Sequence, residues 1–264
     1  MYILGRTQPL DRYAIIECLG VIQRLGFDGV EICLENPDID PDLLDDDLAA
    51  RIRERVHALG LAPYSVSYHK DYIFDDEELR RTLAAIRWTR ALGSDVFVFA
   101  GTRKRTGDAD EWARMVRRTR ELVRAAEEIG VTLAEEFEPG FIVGCTAELL
   151  RLFEAIPSPH LAANLDLGHM FLCDPDPIGA IRQVGARAVH AHVENMRAGV
   201  HDHMVPQEGD MVLADYINAL AQTGFDGGLA LDLYKYDYEQ VAPGAIAHLR
   251  ALIAAAEGIS STAE

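Results

Sequence analysis

The chain has 264 residues, of which 49% are hydrophobic, and this is enough to bury the core of one barrel-type domain or of two smaller ones. Its 25 basic and 43 acidic residues give a formal net charge of −18, which repels nucleic-acid phosphates and anionic lipid headgroups. We therefore expect no nucleic-acid partner and no membrane partner, whereas a small phosphorylated substrate in a locally basic pocket is compatible with this charge.

A glycine recurs along the chain where an amphipathic segment gives way to a β-type run. The six positions are Gly26, Gly60, Gly93, Gly130, Gly185 and Gly224. Glycine is favoured directly after a helix because it adopts the left-handed cap conformation without a Cβ clash. The longest interval separates Gly130 from Gly185, and "SPHLAANLDLGH" at 158–169 supplies a further strand within it. The pattern predicts repeated helix–strand units.

The segments between these glycines have the period of helices that pack on a sheet. In 111–129, apolar side chains recur at helical spacing and charged side chains occupy the opposite face. Eight β-type runs alternate with such helices, near 2–5, 29–34, 64–68, 95–100, 131–136, 161–166, 187–193 and 228–233. Eight such units in about 250 residues favour a closed barrel of parallel strands. We predict an α/β fold, a single (β/α)₈ TIM barrel that spans residues 1–264.

Active sites of such barrels lie at the carboxyl ends of the strands. Four consecutive strands end in acidic or imidazole side chains, in "EEFEP" at 135–139, "DLGH" at 166–169, "HAHVE" at 190–194 and "DLY" at 232–234. Because neighbouring side chains alternate between the two faces of a strand, His190 and His192 share one face. Carboxylates that face into a barrel are costly to bury unless a cation accompanies them. The four strand ends together predict a metal site.

These segments resemble the xylose isomerase-like barrel superfamily, and within it the sugar phosphate isomerase/epimerase group, which includes ketose 3-epimerases. The resemblance is carried by "VTLAEEFEPG", "NLDLGH", "VHAHVEN", "HDHMVPQEGD" and "GFDGGLALDLY". It implies a divalent cation with four protein ligands, which are Glu136, Asp166, His192 and Asp232. Two positions depart from the family pattern. Asp232 stands where the family usually has glutamate, and Gln207 stands where its turn usually has glycine.

The ligand set that the resemblance implies is rich in oxygen, which favours Mn²⁺, with Mg²⁺ or Co²⁺ as alternatives. Such a cation would polarise a sugar carbonyl, while Glu136 and Asp232 act as the catalytic groups that remove and return a neighbouring proton through an enediolate. The resemblance further implies substrate contacts from Glu138, His169 and Arg197. His69, at the end of the third strand, is expected to line the substrate pocket.

Several polar residues are open between a structural and a functional role. Glu31 and Glu35 follow the second strand and are expected either to line the pocket or to lie on its rim. His190 is predicted to be a core residue that supports the site. His201 and His203 are predicted to lie in the loop after the seventh strand, one of them shaping the pocket and the other solvated.

Other activities on the same scaffold stay open at this point. One is a lyase that resembles C-glycoside deglycosidase subunits, because elimination from a 3-keto-sugar also begins with proton loss beside a carbonyl. Another is a phosphodiesterase that resembles endonuclease IV, which the acidic net charge disfavours. A third is a metal-binding barrel without activity. We expect a small sugar substrate and a homo-oligomer, joined under the lyase interpretation by a small second subunit.

The sequence also predicts the cellular compartment. It has no run of about 18 apolar residues, and its first residues show no signal-peptide pattern. The cysteines at 18, 33, 145 and 173 are far apart and form neither a CxxC pair nor a disulfide framework. We expect a protein of the reducing cytoplasm.

Overall fold

Eight parallel strands close into a barrel in the structure, a computed structural model that describes residues 1–260. The strands are β1 (Tyr2–Arg6), β2 (Gly29–Cys33), β3 (Ala62–Ser67), β4 (Val96–Ala100), β5 (Thr132–Glu136), β6 (Leu161–Asp166), β7 (Ala188–Val193) and β10 (Gly228–Leu231). The ring closes because β10 pairs with both β1 and β7. This confirms the predicted TIM barrel. Residues 261–264 of the predicted domain lie outside the described residues.

Helices connect the strands and cover the outside of the barrel. They are α1 (Ile15–Leu25), α2 (Asp46–Ala58), α3 (Asp76–Ala91), α4 (Ala109–Ile129), α5 (Thr146–Ala155), α6 (Leu167–Cys173), α7 (Pro177–Val184), α8 (Leu213–Gln222) and α9 (Tyr238–Ser260). Short 3₁₀ helices occur at Gln8–Leu10 and Gly185–Arg187. Within residues 1–260, no helix combines the length and the apolar character that crossing a bilayer requires.

Helix α4 shows how the sequence pattern produces one of these units. The Asp108 side chain caps its N-terminus by accepting hydrogen bonds from the backbone N–H groups of Asp110 and Glu111. The apolar face predicted over 111–129 is buried. The helix ends at Gly130, whose φ is 72°. All six glycines predicted to follow helices have positive φ, between 56° and 92°, which confirms the repeated unit.

An antiparallel hairpin of β8 (Asn195–Arg197) and β9 (Val200–Met204) follows β7. The Asn195 side chain ties this hairpin to the loop beyond it, because its Nδ2 donates to the carbonyl oxygen of Pro206 at 3.1 Å. The two histidines of β9 reach the cavity at the carboxyl end of the barrel. The hairpin therefore adds a wall to the site that the eight barrel strands alone do not supply.

Gly228 begins β10 at a place where the interior leaves no room for a side chain. A Cβ atom there would lie 2.4 Å from Leu4 Cδ1 and 2.9 Å from a ring carbon of Tyr64. We expect Gly228→Ala to lower the free energy of unfolding, measured in urea, by about 1–3 kcal/mol, the usual cost of overpacking. Gly244→Ala is the control, because Gly244 is exposed on α9 and a Cβ there would meet its nearest atom at 3.6 Å. Equal stabilities of the two variants would contradict this packing.

Candidate metal centre

A cavity of about 540 Å³ opens at the carboxyl ends of the barrel strands. Six of the predicted site residues line it, namely Glu136, Glu138, His69, His169, His192 and Asp232. Asp166 is 1% exposed and its carboxylate lies next to His192. The end of the barrel that the sequence predicts to carry the site is therefore the end where these side chains meet.

The four predicted metal ligands converge around the Nδ1 atom of His192. From this atom, Glu136 Oε2 lies at 3.1 Å, Asp166 Oδ2 at 3.8 Å and Asp232 Oδ2 at 3.9 Å. Ligands of an octahedral cation lie about 3 Å apart when adjacent and about 4 Å apart when opposite. The three distances from His192 Nδ1 fall in this range, and the candidate ligand atoms of Glu136, Asp166 and His192 all lie within 4.8 Å of one another. We call these four residues the His192 cluster.

One buried oxygen of the His192 cluster lacks a hydrogen bond, which a bound cation would replace. Among the described residues, Asp166 Oδ2 is buried and has no hydrogen-bond partner. An unpaired carboxylate oxygen is costly to remove from water. Three carboxylates and one imidazole form a hard donor set of the kind that binds Mn²⁺ or Mg²⁺. The residues present therefore fit a divalent cation.

Glu31 and Arg6 orient the ring of His192. Glu31 Oε2 lies 3.1 Å from His192 Nε2, and Glu31 Oε1 accepts a hydrogen bond from Arg6 Nε at 2.7 Å. A carboxylate on one ring nitrogen leaves the other nitrogen for the metal. Arg6 also pairs with Asp232 Oδ1, so that Asp232 Oδ2 is the oxygen that faces the cluster.

The sequence analysis missed Arg6, although the signal was present. Arg6 closes the strand "YILGR" at its carboxyl end, as the predicted ligands close theirs, and it is 1% exposed. Glu31 and Glu35 were left open between the pocket and its rim. In the structure Glu35 lines the cavity, whereas Glu31 is fully buried and contacts His192.

The structure confirms His190 as a buried core residue. Its Nδ1 donates to Asn164 Oδ1 at 2.8 Å, and its Nε2 accepts a hydrogen bond from Ser65 Oγ at 2.9 Å. Burial lowers the pKa of His190 to about 3, so the ring is neutral. Asn164 in turn donates to Glu136 Oε2 at 2.8 Å, and this buried layer thereby holds one of the predicted ligands in place.

The charge states of Glu136 and His192 depend on each other. Burial alone would raise the pKa of Glu136, but the charge of His192 and hydrogen bonds from His192 and His69 outweigh it and hold that pKa well below its usual value. Burial alone would lower the pKa of His192, but the carboxylates of Glu136 and Glu31 outweigh it and raise this pKa to about 9. Without a metal, Glu136 is ionised and His192 is protonated at neutral pH.

Three predicted substrate residues surround this cluster. His69 Nε2 lies 3.3 Å from Glu136 Oε2, and His169 Nδ1 donates to the carbonyl oxygen of Phe137 at 2.9 Å. Glu138 is partly buried, and burial raises the pKa of its carboxyl group. The polar edges of these side chains line the cavity, where they can meet sugar hydroxyls.

Arg197 is the predicted substrate residue that the structure does not bring to the cavity. It ends β8 at the turn of the hairpin, where it pairs with Val200, and its side chain is exposed. The sequence shows that Arg197 follows the seventh strand but not that the chain reverses there. The hairpin instead brings His201 and His203 to the cavity wall. Burial lowers the pKa of both histidines, that of His203 to about 4.

Comparisons with known proteins identify the family of the chain. The family described as Xylose isomerase-like TIM barrel matches residues 19–252. The chain is similar to D-psicose 3-epimerase of Enterocloster bolteae, with 31% identity over 123 residues, which are 46% of this chain and 39% of that enzyme. It is also similar to fructoselysine 3-epimerase of Escherichia coli O157:H7, with 24% identity over 253 residues, 87% of this chain and 90% of that enzyme.

Further similarity extends to a dehydratase and to solved structures. Inosose dehydratase of Lacticaseibacillus casei is 26% identical over 140 residues, 47% of each chain. A structure of L-ribulose 3-epimerase superposes with a TM-score of 0.84 at 19% identity, over 100% of this chain and 98% of that one. At this identity the superposition shows the shared fold.

Removal of one carboxylate should abolish tight Mn²⁺ binding by the His192 cluster. Glu136→Gln and Asp166→Asn keep the side-chain shape but lose a charged ligand. Because changes outside the ligand shell already cost 10–100-fold, we expect each affinity, measured by electron paramagnetic resonance titration, to fall by more than about 100-fold. Glu128→Gln, an exposed position on α4, is the control and should bind as the parent does. Unchanged Mn²⁺ affinity in both ligand variants would rule out this site.

Binding of Mn²⁺ should also release a proton. Because the pKa of His192 is raised to about 9 in the metal-free protein, the cation must displace a proton from this ring at neutral pH. We expect the affinity to rise between about pH 6 and about pH 9 and to level off above that range. Calorimetry in two buffers of different ionisation enthalpy measures the released proton. A heat that is equal in both buffers would contradict the protonated state of His192.

Proposed function

The chain belongs to the xylose isomerase-like TIM barrel family, and on this basis we propose that it is a divalent-metal-dependent isomerase or epimerase of a sugar or keto-sugar. The strongest support is the meeting of Glu136, Asp166 and His192, whose candidate ligand atoms all lie within 4.8 Å of one another, with Asp232 Oδ2 3.9 Å from His192 Nδ1. The volume of about 540 Å³ lies in the range of small-molecule sites. Relatives that epimerise D-psicose and fructoselysine favour a ketose-type substrate.

In this proposal Glu136, Asp166, His192 and Asp232 hold the cation, and Mn²⁺ is the metal that we expect because most donors are carboxylate oxygens. When bound, the cation supplies Lewis-acid polarisation of a sugar carbonyl. The protein contributes the orientation of its donors. Arg6 and Glu31 set the angle of the His192 ring before any ligand arrives.

We assign proton transfer to two carboxylates of the site. Glu136 ends β5 and Asp232 follows β10, and two other strands separate them around the ring. One group can remove the proton from the carbon beside the carbonyl while the other returns it to the opposite face, and this inverts that carbon. Glu136 can take the first role because its carboxylate is ionised at neutral pH. Arg6 holds Asp232 through Oδ1 and leaves Oδ2 directed at the cluster.

The remaining wall of the cavity is suited to hold hydroxyl groups. His69, His169 and Glu138 present ring nitrogens and a carboxyl group within the cavity. The rings of His69 and His169 are restrained, since His69 contacts Glu136 and His169 donates to a backbone carbonyl. A sugar bound at the His192 cluster would therefore be oriented by groups that are already in place.

A lyase is the second candidate, because elimination begins with the same proton removal and inosose dehydratase is among the relatives. The two activities differ in what happens after the proton leaves. An epimerase returns it to carbon, whereas a lyase expels a hydroxyl or an aglycone. The products distinguish them.

Exchange with solvent tests the proposed chemistry. We expect the Mn²⁺-loaded protein, incubated in D₂O with ketoses, keto-glucosides and C-glycosides, to introduce deuterium beside the carbonyl of its substrate and to form an epimer or isomer, as followed by NMR. Glu136→Gln and Asp232→Asn should each slow exchange by about 10²–10⁴-fold, the usual contribution of a general acid or base.

Asp226→Asn is the matched control, because Asp226 is exposed and lies before β10 rather than after it. Its exchange rate should equal that of the parent. Deuterium incorporation with loss of water or of an aglycone would favour the lyase. A protein that binds Mn²⁺ but exchanges no proton in any of these compounds would contradict both activities.

A further inference from the structure

Two positively charged residues line the cavity without a carboxylate partner. Lys70 lies in the loop after β3 and Arg103 in the loop after β4, and both are exposed. We propose that they form an anion subsite, which binds a phosphate or carboxylate at the far end of the substrate. This inference rests on the proposed function and deepens it, because it narrows the sugar to an acidic ketose.

The carboxylates of the cavity do not account for these two cations. Four of the acidic residues that line it pair with an imidazole or with another basic side chain, namely Glu35, Glu136, Asp202 and Asp232. The remaining one is Glu138. Within the part of the chain that the structure describes, neither Lys70 nor Arg103 forms an ion pair with it or with any other carboxylate. The charge of both cations is therefore available to a ligand.

Arg103 differs in this respect from the two basic residues that follow it. Lys104 Nζ donates to Glu148 Oε1 at 2.8 Å. Arg105 Nη2 donates to Asp71 Oδ2, also at 2.8 Å. None of these four residues lines the cavity, whereas Arg103 does. In a chain with a formal net charge of −18, the loop thus neutralises two of its cations outside the cavity and leaves the third at the cavity, where it can attract an anion.

The backbone around Arg103 is held in place before any ligand binds. Arg103 forms an isolated antiparallel bridge with Phe141, and the N–H of Ile142 donates to the carbonyl oxygen of Thr102 at 2.9 Å. The guanidinium of Arg103 lies 5.4 Å from the centre of the Phe141 ring, within the range of a cation–π contact. A cation that is already restrained loses less conformational freedom when it binds an anion.

Lys70 lies in a loop that is joined to the loop of Arg103. The ion pair between Asp71 and Arg105 connects the two loops, and Asp71 Oδ1 also accepts a hydrogen bond from the backbone N–H of Phe74 at 3.0 Å. The planar guanidinium of Arg103 can donate to two oxygens of one phosphate or carboxylate, and the ammonium group of Lys70 adds a second charge. The pair therefore suits an anion that has several oxygens.

The subsite and the His192 cluster lie at different depths of the cavity. The four residues of the cluster are each at most 4% exposed, whereas Lys70 and Arg103 are exposed. The charge of Arg103 still acts within the cavity, since it adds to burial and to the charge of His169 in lowering the pKa of His201. A sugar whose carbonyl lies at the buried cluster would extend its other end toward these two cations.

Three sugars that differ only at carbon 6 test the subsite. D-fructose, D-fructose 6-phosphate and D-fructuronate carry a hydroxyl, a phosphate and a carboxylate there. Their binding to the chelator-treated protein is measured by calorimetry, so that no metal competes for the anionic group. We expect at least one anionic sugar to bind about 10-fold or more tightly than D-fructose, because hydrogen bonds to charged groups are the stronger ones. The tighter of the two anionic sugars identifies the group.

Substitutions locate the subsite. Arg103→Gln and Lys70→Gln should each reduce the preference for the anionic sugar by about 5–10-fold, and Arg103→Lys, which keeps the charge, should retain part of it. Lys104→Gln is the matched control, because it removes a neighbouring charge whose partner Glu148 lies outside the cavity, and it should bind as the parent does. Thermal unfolding verifies that each variant is folded.

The outcomes distinguish the subsite from the proposed function. Equal affinity for the three sugars, absence of binding included, would overturn the subsite, and so would an anionic preference that both glutamine variants retain. Neither result bears on proton exchange by the Mn²⁺-loaded protein. Loss of affinity for all three sugars alike in these variants would also overturn the proposal, because it indicates a structural role. A preference that the variants lose, in a protein that exchanges no proton, would support the subsite and count against the isomerase or epimerase.

Discussion

Negative charge buried at the carboxyl ends of the strands is the constraint on which the site depends. Six carboxylates, those of Glu31, Glu135, Glu136, Asp166, Glu194 and Asp232, are each at most 4% exposed. Arg6 is the single arginine or lysine buried with them among the described residues. Burial raises the pKa of Glu194 and of Glu135, helped by the neighbouring charges of Asp166 and Glu136 respectively, which favours their neutral forms. Arg6 and protonated His192 balance part of the remaining charge. A bound cation would balance what is left.

Rigid elements carry the groups that this balance requires. The predicted ligands lie at or directly after strand ends, and Asn164 and Glu31 hold two of them from within the barrel. Preorganised donors cost little to bring together when a metal or substrate binds. The hairpin of β8 and β9 has a different role, because it returns two histidines to a cavity that the strands have already shaped. Strands thus position the predicted ligands, including His192, and the hairpin adds two further imidazoles.

Much of the fold and part of the site were predictable from the sequence. Helical and β-type periods follow from local steric and packing preferences, so the eight strands and the glycines that follow helices were predicted at their observed places. Glu136, Asp166 and His192 were predicted because parallel strands bring their carboxyl ends to one edge, and the family resemblance assigned them to one cation. Arg6 was missed, although the same rule applies to the strand that it closes. The residues around the hairpin turn at Arg197 show no clear helical or β-type pattern. The turn, and with it the exposure of Arg197, was therefore not predicted.

By itself, the sequence determined the secondary structure, the closed parallel sheet and the end of that sheet where chemistry is expected, because each depends on patterns within about 30 residues. Only the tertiary structure decided which atoms meet. Glu31 contacts His192 across 161 positions and Arg6 pairs with Asp232 across 226, and both contacts exist only once the ring has closed. The meeting of three ring nitrogens from α6 and β9 likewise depends on a reversal of the chain and on side-chain rotations, which local sequence does not encode.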